Sequence, residues 1–485
     1  MYTPNLTQSG INVNVQKAKY AVRGPVPQRA FEIEQELKAG KEHPFKKVIN
    51  CNIGNPQLLG QHPISFYREV SSLLVCPDLL SNPKIEEIYQ PDVIKRAREM
   101  LAQIPGGVGA YSNSQGLPFI VSDVASFISN RDNAPCDPKS VFLTQGASPG
   151  IQTILNMLIR SPNDGILVPM PQYPLYTGSI ALYGGKALLY ELDEQSGWAL
   201  TVESIQKTID EARKFDITPR AIVIINPGNP TGACLPRENI QQVLELAHRE
   251  NMLVMSDEVY QTNIYNPDEK PFISFRQVLL EAKNKEKLAG LELISFNSIS
   301  KGFFGECGIR GGYFQMENID PFAWQEIYKL ASLNLCPNVL GQCVVDFMVN
   351  PPKPGDASYP KYLEESQGIL KSLQHRARKL SAALNDIDGC TCQPVESAMY
   401  AFPKIAIPAK AVQHARDVLH IPADLMYCFS LLESEGVCVV PGSGFGQASG
   451  TYHLRTTILP RDEEFDEMVE RFKRHHLAFQ EKWKE

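Results

Sequence analysis

The chain has 485 residues, of which 43% are hydrophobic and 21% charged, a composition typical of globular proteins and a length that suits two or three domains. Its formal net charge of −7 argues against a nucleic-acid partner, because gripping a phosphate backbone needs a basic surface. No run approaches 18 apolar residues, so we expect no membrane span, and the eleven scattered cysteines, without a C-x-x-C pair, indicate reduced thiols and no metal site.

The N-terminal segment MYTPNLTQSGINVNVQ has neither a basic nor an apolar leader, and no arginine precedes Arg23. It therefore predicts no secretory signal or mitochondrial transit peptide, and we expect a cytoplasmic location. We predict three parts of the chain: an N-terminal arm with part of a small domain (1–90), a large α/β domain (91–350) and a small C-terminal α+β domain (351–485). The second boundary lies at the Pro- and Gly-rich stretch NPPKPGDASYP.

Between residues 140 and 316, short runs rich in Val, Ile and Leu alternate with amphipathic stretches. Examples are SVFLTQGA, GIQTILNMLIR, AIVIINPGNP, ENIQQVLELAHRE and MLVMSDEVY. Continuous apolar strands separated by helices indicate a mostly parallel sheet that is covered on both faces. After residue 360, KYLEESQGILKSLQHRARKLSAALN predicts a long amphipathic helix, followed by several strand-like segments.

Polar residues follow several of these strands, where the ligands of parallel sheets usually bind. GASPGI opens a helix whose free N–H groups could hold an anion, Asn229 follows AIVII, Asp257 and Tyr260 follow MLVMS, and Lys301 follows LELISFNSI. Each alone has an ordinary reading as a cap, a turn or a surface residue. Together they match the needs of a pyridoxal 5′-phosphate site, which requires an amine, a buried carboxylate, hydroxyl and amide donors, and a phosphate cradle.

At this point the sequence resembles the fold type I, pyridoxal 5′-phosphate-dependent aminotransferases, in their alanine and glutamate:glyoxylate branch. The motifs that carry this are YAVRGP, NIGNPQ, GAYSNSQG, PQYPLY, INPGNPTGA, SDEVYQ, SISKGFFGECGIRGGY, VPGSGFGQ and TYHLRTT. The resemblance implies a large domain with a mostly parallel seven-stranded sheet sandwiched by helices, and a smaller α+β domain. It also implies a ping-pong reaction in which L-alanine and 2-oxoglutarate give pyruvate and L-glutamate.

The resemblance also implies roles for individual residues. Lys301 matches the lysine that binds the cofactor covalently and moves the substrate Cα proton, and Asp257 matches the carboxylate that faces the pyridine nitrogen. Asn229 and Tyr260 match the donors to the phenolic oxygen of the cofactor, and Tyr173 matches the aromatic residue stacked on its ring.

The phosphate ligands implied by the resemblance are Ala147, Ser148, Ser298 and Arg310. Tyr111 matches a tyrosine that reaches the phosphate from a partner subunit, which implies a homodimer with shared active sites.

In the small domain, Arg455 matches the arginine that binds the substrate α-carboxylate, a task for which its planar fork is suited. Gly54 matches a backbone position against the substrate, where a side chain would obstruct binding. Arg23 is a candidate for the distal carboxylate of glutamate, with a surface or interface ion pair as its alternative.

Two other motifs have plainer readings. GSGFG lies late in the chain without a following ribose-binding acid, so we read it as a turn, and His453 has no metal-ligand cluster beside it. We expect Gly302, Gly305 and Gly308 to give the cofactor room, whereas Glu306 and Cys307 have no role that we can derive.

Two alternatives to the implied function stay open. The acceptor could be glyoxylate rather than 2-oxoglutarate. The same set of cofactor-binding residues would also be compatible with a lyase or a decarboxylase.

Overall fold

The computed structural model describes residues 5–283 and 287–484. Its α-helices are α1 (Val13–Lys17), α2 (Pro25–Lys38), α3 (Ser65–Val75), α4 (Ile85–Ile88), α5 (Pro91–Gln103), α6 (Pro118–Asp132), α7 (Ala147–Leu158), α8 (Leu175–Leu182), α9 (Val202–Lys214), α10 (Arg237–Arg249), α11 (Phe275–Lys283), α12 (Pro321–Leu333), α13 (Val339–Val349), α14 (Tyr359–Asn385), α15 (Ala409–His414), α16 (Ala423–Glu435) and α17 (Asp462–Trp483). Its strands are β1 (Ile49–Asn50), β2 (Val141–Thr144), β3 (Asp164–Met170), β4 (Lys186–Asp193), β5 (Ala199–Leu200), β6 (Thr218–Ile225), β7 (Leu253–Asp257), β8 (Leu293–Ser298), β9 (Gly312–Glu317), β10 (Cys390–Thr391), β11 (Tyr400–Ala401), β12 (Lys404–Ile405), β13 (Val437–Cys438), β14 (Val440–Pro441) and β15 (Leu454–Thr457).

The main sheet has the strand order β2-β9-β8-β7-β6-β3-β4-β5. Strands β8, β7, β6, β3 and β4 run parallel, whereas β9 pairs antiparallel with both of its neighbours. The α/β class with a mostly parallel sheet is confirmed. The sheet has eight strands where seven were expected, because the two-residue β5 pairs antiparallel with the end of β4.

Helices cover both faces of this sheet, as the continuous apolar strands predicted. Along β6, Ile222 and Ile224 pack with Ile240 and Val243 of α10 on one face. Val223 packs on the other face with residues of α7 and α8. Alternate side chains of a strand point to opposite faces, so both must be apolar when helices cover both.

The N-terminal segments pack into two different cores. Val26 and Ile33 of α2 lie in the core of the small domain, together with residues of α14, α16 and α17. Phe66 and Val70 of α3 lie instead in a core with residues of α5, α6 and α13. The described part of residues 1–90 therefore packs into two different hydrophobic cores, because its helices bury their apolar faces against different partners.

The predicted long helix over residues 361–385 is confirmed as α14, which runs from Tyr359 to Asn385. GSGFG forms a short 3₁₀ turn at Gly442–Gly444 and opens no long helix. In the part of the chain that the structure describes, every helix falls short of the length and apolar character that crossing a bilayer requires.

Candidate active site

A cavity of about 490 Å³ opens at the carboxyl ends of β6, β7 and β8, against residues of the small domain. The strand register places Ile225 beside Asp257 and Asp257 beside Phe296, so the residues that follow these strands emerge together. All the predicted site residues except Tyr111 line this cavity: Arg23, Gly54, Ala147, Ser148, Tyr173, Asn229, Asp257, Tyr260, Ser298, Lys301, Arg310 and Arg455.

Lys301 follows β8 and points into the cavity. Its Nζ donates a hydrogen bond of 2.8 Å to the carbonyl oxygen of Gly54 and lies 5.9 Å from the ring centroid of Tyr260. The next residue, Gly302, has φ +72°, and its N–H donates to Oδ1 of Asn263 at 2.8 Å. A Cβ at Gly302 would stand 2.3 Å from Oγ1 of Thr262, so only glycine fits this turn beside the lysine.

The other two glycines of this loop, Gly305 and Gly308, differ in their surroundings. Gly305 also has a positive φ, +61°, and a Cβ there would lie 2.8 Å from Nε2 of Gln61. Gly308 lines the cavity, and a Cβ built there meets no protein atom within 4 Å. The crowding in this loop comes from neighbouring protein atoms.

Asp257 ends β7 and is 4% exposed. Its Oδ2 accepts a 2.8 Å hydrogen bond from the Tyr176 hydroxyl. Burial raises the pKa of Asp257 to about 6, although the Tyr176 hydrogen bond and the charge of Lys301 act in the opposite direction. The carboxylate has no ion-pair partner among the described residues and therefore suits a cationic ligand atom.

Arg455 on β15 is 1% exposed and lies at the small-domain wall of the cavity. Its Nη1 donates to Oδ1 of Asn229 at 3.2 Å, and its Nη2 donates to the carbonyl oxygen of Asn52. Its Nε has no hydrogen-bond partner among the described residues. A buried guanidinium with only neutral acceptors suits an anionic ligand such as a carboxylate.

Two tyrosines connect these groups. The Tyr260 hydroxyl donates to the Tyr400 hydroxyl at 3.4 Å, and the Arg455 guanidinium lies 4.2 Å from the centroid of the Tyr400 ring. Burial raises the pKa of Tyr260 well above its usual value. Burial also acts to raise the pKa of Tyr400, but the charges of Lys301 and Arg455 outweigh it and the pKa is lowered.

The opposite end of the cavity is built for an anion. Helix α7 begins at Ala147 after Gly146, whose φ is +84°, so the free N–H groups of its first turn open into the cavity. Ser148 lies in that first turn, and Gly146 is the N-cap residue. The Arg310 guanidinium lies so close that a Cβ at Gly146 would stand 2.5 Å from its Nη2.

Tyr20 of the YAVRGP motif and Tyr173 of the PQYPLY motif both line the cavity. The hydroxyls of Tyr20 and Tyr173 are 2.6 Å apart, which joins the N-terminal segment to the PQYPLY segment. Tyr111 lies outside the cavity and is 79% exposed. An exposed tyrosine on this chain is compatible with its expected contribution to a partner's site.

Glu306, which had no role from sequence, is a buried carboxylate that pairs with the half-exposed Arg68. It is 2% exposed, and its two carboxylate oxygens accept hydrogen bonds from Nε and Nη2 of Arg68 at 3.1 and 2.8 Å. Arg68 also donates to Oε1 of Gln57 at 2.8 Å. The pair therefore ties α3 and the NIGNPQ segment to the lysine loop.

Cys307 lines the cavity beside Lys301. Its Sγ lies 2.9 Å from the carbonyl oxygen of Ser300 and 3.9 Å from that of Gly54, the carbonyl to which Lys301 donates. His453 is structural: it hydrogen-bonds to Gln447 and is stacked on Phe402, with ring centroids 4.9 Å apart.

Sequence reasoning missed two members of the site, Tyr176 and Tyr400. Tyr176 lies within the PQYPLY motif, so the sequence indicates that this segment belongs to the site, but it does not indicate the contact between Tyr176 and Asp257. Tyr400 lies on the two-residue strand β11 within SAMYAFP, where a single aromatic residue carries no signal of its own.

These residues fit pyridoxal 5′-phosphate on features of this structure. A buried carboxylate without a cationic partner stands at one point of the cavity, a helix N-terminus with an arginine at another, and a lysine amine between the walls. The carboxylate suits the pyridine nitrogen of the cofactor, the helix N-terminus with its arginine suits the phosphate, and the lysine amine suits the aldehyde.

Comparisons with known proteins agree with this geometry. A family model described as aminotransferase class I and II matches residues 83–472. A protein named probable alanine aminotransferase, mitochondrial, from Dictyostelium discoideum is 49% identical over 99% of this chain and 90% of its own length. Glutamate–glyoxylate aminotransferase 2 of Arabidopsis thaliana is 48% identical, covering 98% of this chain and 96% of its own.

Two further similarities extend the comparison. Alanine aminotransferase 1 of Homo sapiens is 44% identical over 98% of this chain and 95% of its own length. Among solved structures, an alanine aminotransferase from Pyrococcus furiosus has a TM-score of 0.75 at 26% identity, covering 96% of this chain and all of that one. The chain belongs to the class I and II aminotransferases, a family of pyridoxal 5′-phosphate-dependent enzymes.

Proposed function

We propose that this chain is an alanine aminotransferase, which transfers the amino group of L-alanine to 2-oxoglutarate in two half-reactions and yields pyruvate and L-glutamate. The observation that carries the proposal is similarity over nearly the full length, at 44–49% identity, to proteins named alanine aminotransferase. The site geometry supports it, because a lysine amine and a buried guanidinium face the same cavity.

In this proposal the bound cofactor supplies an aldehyde that accepts amino groups and a ring that withdraws electrons from the substrate Cα. Lys301 would act as the base that takes the proton from the substrate Cα and as the acid that gives it back. With the cofactor bound, Asp257 would keep its ring nitrogen protonated, and Tyr176 holds that carboxylate in place through its 2.8 Å hydrogen bond.

Substrate binding falls to the small-domain wall in this proposal. Arg455 binds the α-carboxylate through its planar fork, with Asn229 and the carbonyl of Asn52 already holding the guanidinium in its plane. A side chain at Gly54 would stand 2.1 Å from the Tyr400 hydroxyl and 3.1 Å from Nζ of Lys301, so a glycine keeps this wall clear beside the lysine. Arg23 lines the same cavity and is the proposed partner for the distal carboxylate of glutamate.

The assay for this proposal is the matched formation of pyruvate and glutamate from alanine and 2-oxoglutarate. Lys301→Ala is expected to abolish turnover and the absorbance of the lysine-bound cofactor, whereas the wild type forms the two products one for one. A Lys301→Ala enzyme that transaminated at the normal rate would refute the assignment. Products in any other ratio would instead favour a lyase or decarboxylase.

A second candidate is the same chemistry with glyoxylate as acceptor, because a named glutamate–glyoxylate aminotransferase is 48% identical to this chain. A panel of alanine and glutamate as donors against 2-oxoglutarate, pyruvate and glyoxylate as acceptors separates the two. The first candidate predicts a higher kcat/KM with 2-oxoglutarate, and the second predicts a higher value with glyoxylate.

We also propose a homodimer in which Tyr111 completes the partner's phosphate site. An exposed apolar patch supports it: Tyr111 is 79% exposed, and Leu333 and Leu335 are 76% and 52% exposed. The Tyr111 loop is joined to this patch, since Ser114 donates to the carbonyl oxygen of Leu335 at 2.7 Å. Such a patch on a globular protein marks an interaction surface.

The test of the shared site is a mixture of two variants, Tyr111→Ala and Lys301→Ala, unfolded and refolded together. If each is inactive alone, random pairing gives mixed dimers that contain one intact site, and about one quarter of the wild-type activity returns. If the mixture stays inactive although mixed dimers form, each site is built from one chain only.

The proposed location is the cytoplasm, with mitochondria as the alternative, because three of the similar proteins carry the word mitochondrial in their names. Fluorescence microscopy of the native full-length protein with a C-terminal tag distinguishes the two.

A further inference from the structure

The peptide that joins Lys301 to Gly302 is held by a side chain from another segment. The Gly302 N–H donates to Oδ1 of Asn263 at 2.8 Å. A backbone N–H can only donate, so this contact turns the amide oxygen of Asn263 toward the lysine loop. Gly302 has φ +72°, and a Cβ there would stand 2.3 Å from Oγ1 of Thr262, so the two segments are in direct contact.

Asn263 is itself fixed through its backbone. Its N–H donates to the carbonyl oxygen of Tyr260 at 2.8 Å, and its carbonyl oxygen accepts from the N–H of Ala398 at 3.0 Å. The next residue, Ile264, forms an antiparallel bridge with Ser397. Asn263 is 0% exposed, so little water competes for its amide oxygen. The hydrogen bond to Gly302 therefore comes from a rigid support.

The contact with Ala398 leads to the small-domain wall of the cavity. Ala398 lies two residues before Tyr400, whose ring centroid is 4.2 Å from the guanidinium carbon of Arg455. One asparagine thus joins the peptide beside Lys301 to the segment that packs on Arg455. Asn263 itself does not line the cavity, so it can affect the reaction only through the residues that it holds.

We propose that Asn263 is a positioning residue for Lys301: its amide oxygen holds the Gly302 N–H and thereby keeps the lysine amine where it can take the Cα proton of the substrate. The proposal rests on the proposed function, in that it takes Lys301 to be this base. The proton moves between the substrate Cα and Nζ of Lys301, and Asn263 neither gains nor loses one. Proton transfer depends steeply on the placement of the base, so loss of this hydrogen bond should slow the step and leave carboxylate binding by Arg455 unchanged.

The first test measures the Gly302 amide in the full-length enzyme with its cofactor, by hydrogen–deuterium exchange resolved to single residues with fragmentation mass spectrometry. In Asn263→Ala this amide should exchange roughly tenfold faster or more, because its acceptor is gone. Asn263→Asp keeps an acceptor oxygen and should keep the wild-type rate. Asn385→Ala is the matched control: Oδ1 of Asn385 accepts an equally long hydrogen bond, 2.8 Å, from the Cys392 N–H in the small domain, and its loss should leave Gly302 unchanged.

The second test measures the proton transfer, with L-alanine and its Cα-deuterated form as donors and 2-oxoglutarate as acceptor. Asn263→Ala should lower kcat roughly 10- to 100-fold and bring the deuterium isotope effect on kcat to its full primary size, because the Cα–H step then limits turnover. The inhibition constant of propionate, a carboxylate without an amino group, should stay within about twofold of the wild type. Asn263→Asp should recover most of the lost kcat, and Asn385→Ala should match the wild type. A partly unfolded variant would instead lower kcat with the wild-type isotope effect.

Each outcome decides the proposal. If Asn263→Ala keeps the wild-type kcat, leaves the exchange of Gly302 unchanged, or loses propionate binding in proportion to kcat, the proposal is wrong. Should Asn263→Ala misfold, Asn263→Leu replaces it with the same expectations, since leucine has nearly the same shape and no acceptor. A wild type that forms no pyruvate from alanine refutes the proposed function alone. Cα-deuterated glutamate then replaces alanine as donor, and the same comparison decides the positioning role.

Discussion

The buried carboxylate of Asp257 is expected to destabilise the protein when the cofactor is absent. Its pKa is raised from the ordinary 3.8 to about 6, chiefly by burial. A carboxyl group that binds its proton more tightly in the folded state loses stability as the pH rises from the unfolded pKa to the folded one. The difference corresponds to about 1.5 kcal/mol at pH 5 and about 3 kcal/mol at pH 8.

The perturbation that removes this cost is Asp257→Asn. The amide oxygen can still accept the Tyr176 hydrogen bond, which is 2.8 Å long in the structure, while the charge disappears. For a chain of 485 residues, the usual entropy of unfolding converts about 3 kcal/mol into a thermal midpoint roughly 3 °C higher. We therefore expect the cofactor-free variant to melt roughly 3 °C above the cofactor-free wild type at pH 8, and about half as far above it at pH 5.

The measurement is thermal unfolding of the full-length protein after removal of the cofactor, followed by circular dichroism at both pH values. Asp164→Asn is the control: Asp164 is buried too, but Arg160 lowers its pKa, so its loss should lower the midpoint at pH 8. Adding pyridoxal 5′-phosphate should raise the midpoint of the wild type more than that of Asp257→Asn. A variant that is no more stable than the wild type at pH 8, or equally stabilised at both pH values, would refute the reasoning.

Two further changes test the packing around the lysine loop. Gly54→Ala would place a Cβ 2.1 Å from the Tyr400 hydroxyl, so kcat/KM for alanine should fall at least about tenfold. Gly368→Ala is the control: its Cβ meets no atom within 4 Å, so kcat/KM should stay unchanged. Glu306→Gln leaves Arg68 with a neutral partner. Because Arg68 is half exposed, we expect the free energy of unfolding to fall by about 1 kcal/mol, measured by thermal unfolding. An unchanged midpoint would show that this ion pair does not stabilise the loop.

The fold and most of the cavity were predictable because their signals are local in the sequence. An apolar run followed by a polar residue marks a strand end, and parallel strands bring their carboxyl ends to one edge of the sheet. Asn229, Asp257 and Lys301 follow from this rule, and all three line the cavity. The helix N-terminus at Ala147 follows from the small residues of GASPGI.

Residues whose function depends on packing between distant segments were not predictable in this way. The partner of Glu306 is Arg68, 238 positions earlier, and neither residue's letter indicates the other. The same holds for the division of residues 1–90 between two cores. Both α2 and α3 are amphipathic, and the sequence of neither helix indicates which core its apolar face packs against. Periodicity shows that a face is buried, and only the three-dimensional arrangement shows against what.

Tyr400 shows most clearly how packing creates chemistry that the sequence does not show. On a two-residue strand it would be an unremarkable core aromatic residue, with a phenol that burial alone would keep protonated. Two cations, brought there by the lysine loop and by β15, reverse the direction of its pKa shift. The pKa of this phenol thus depends on the same two residues that would bind and deprotonate the substrate, and a change in either one should shift it.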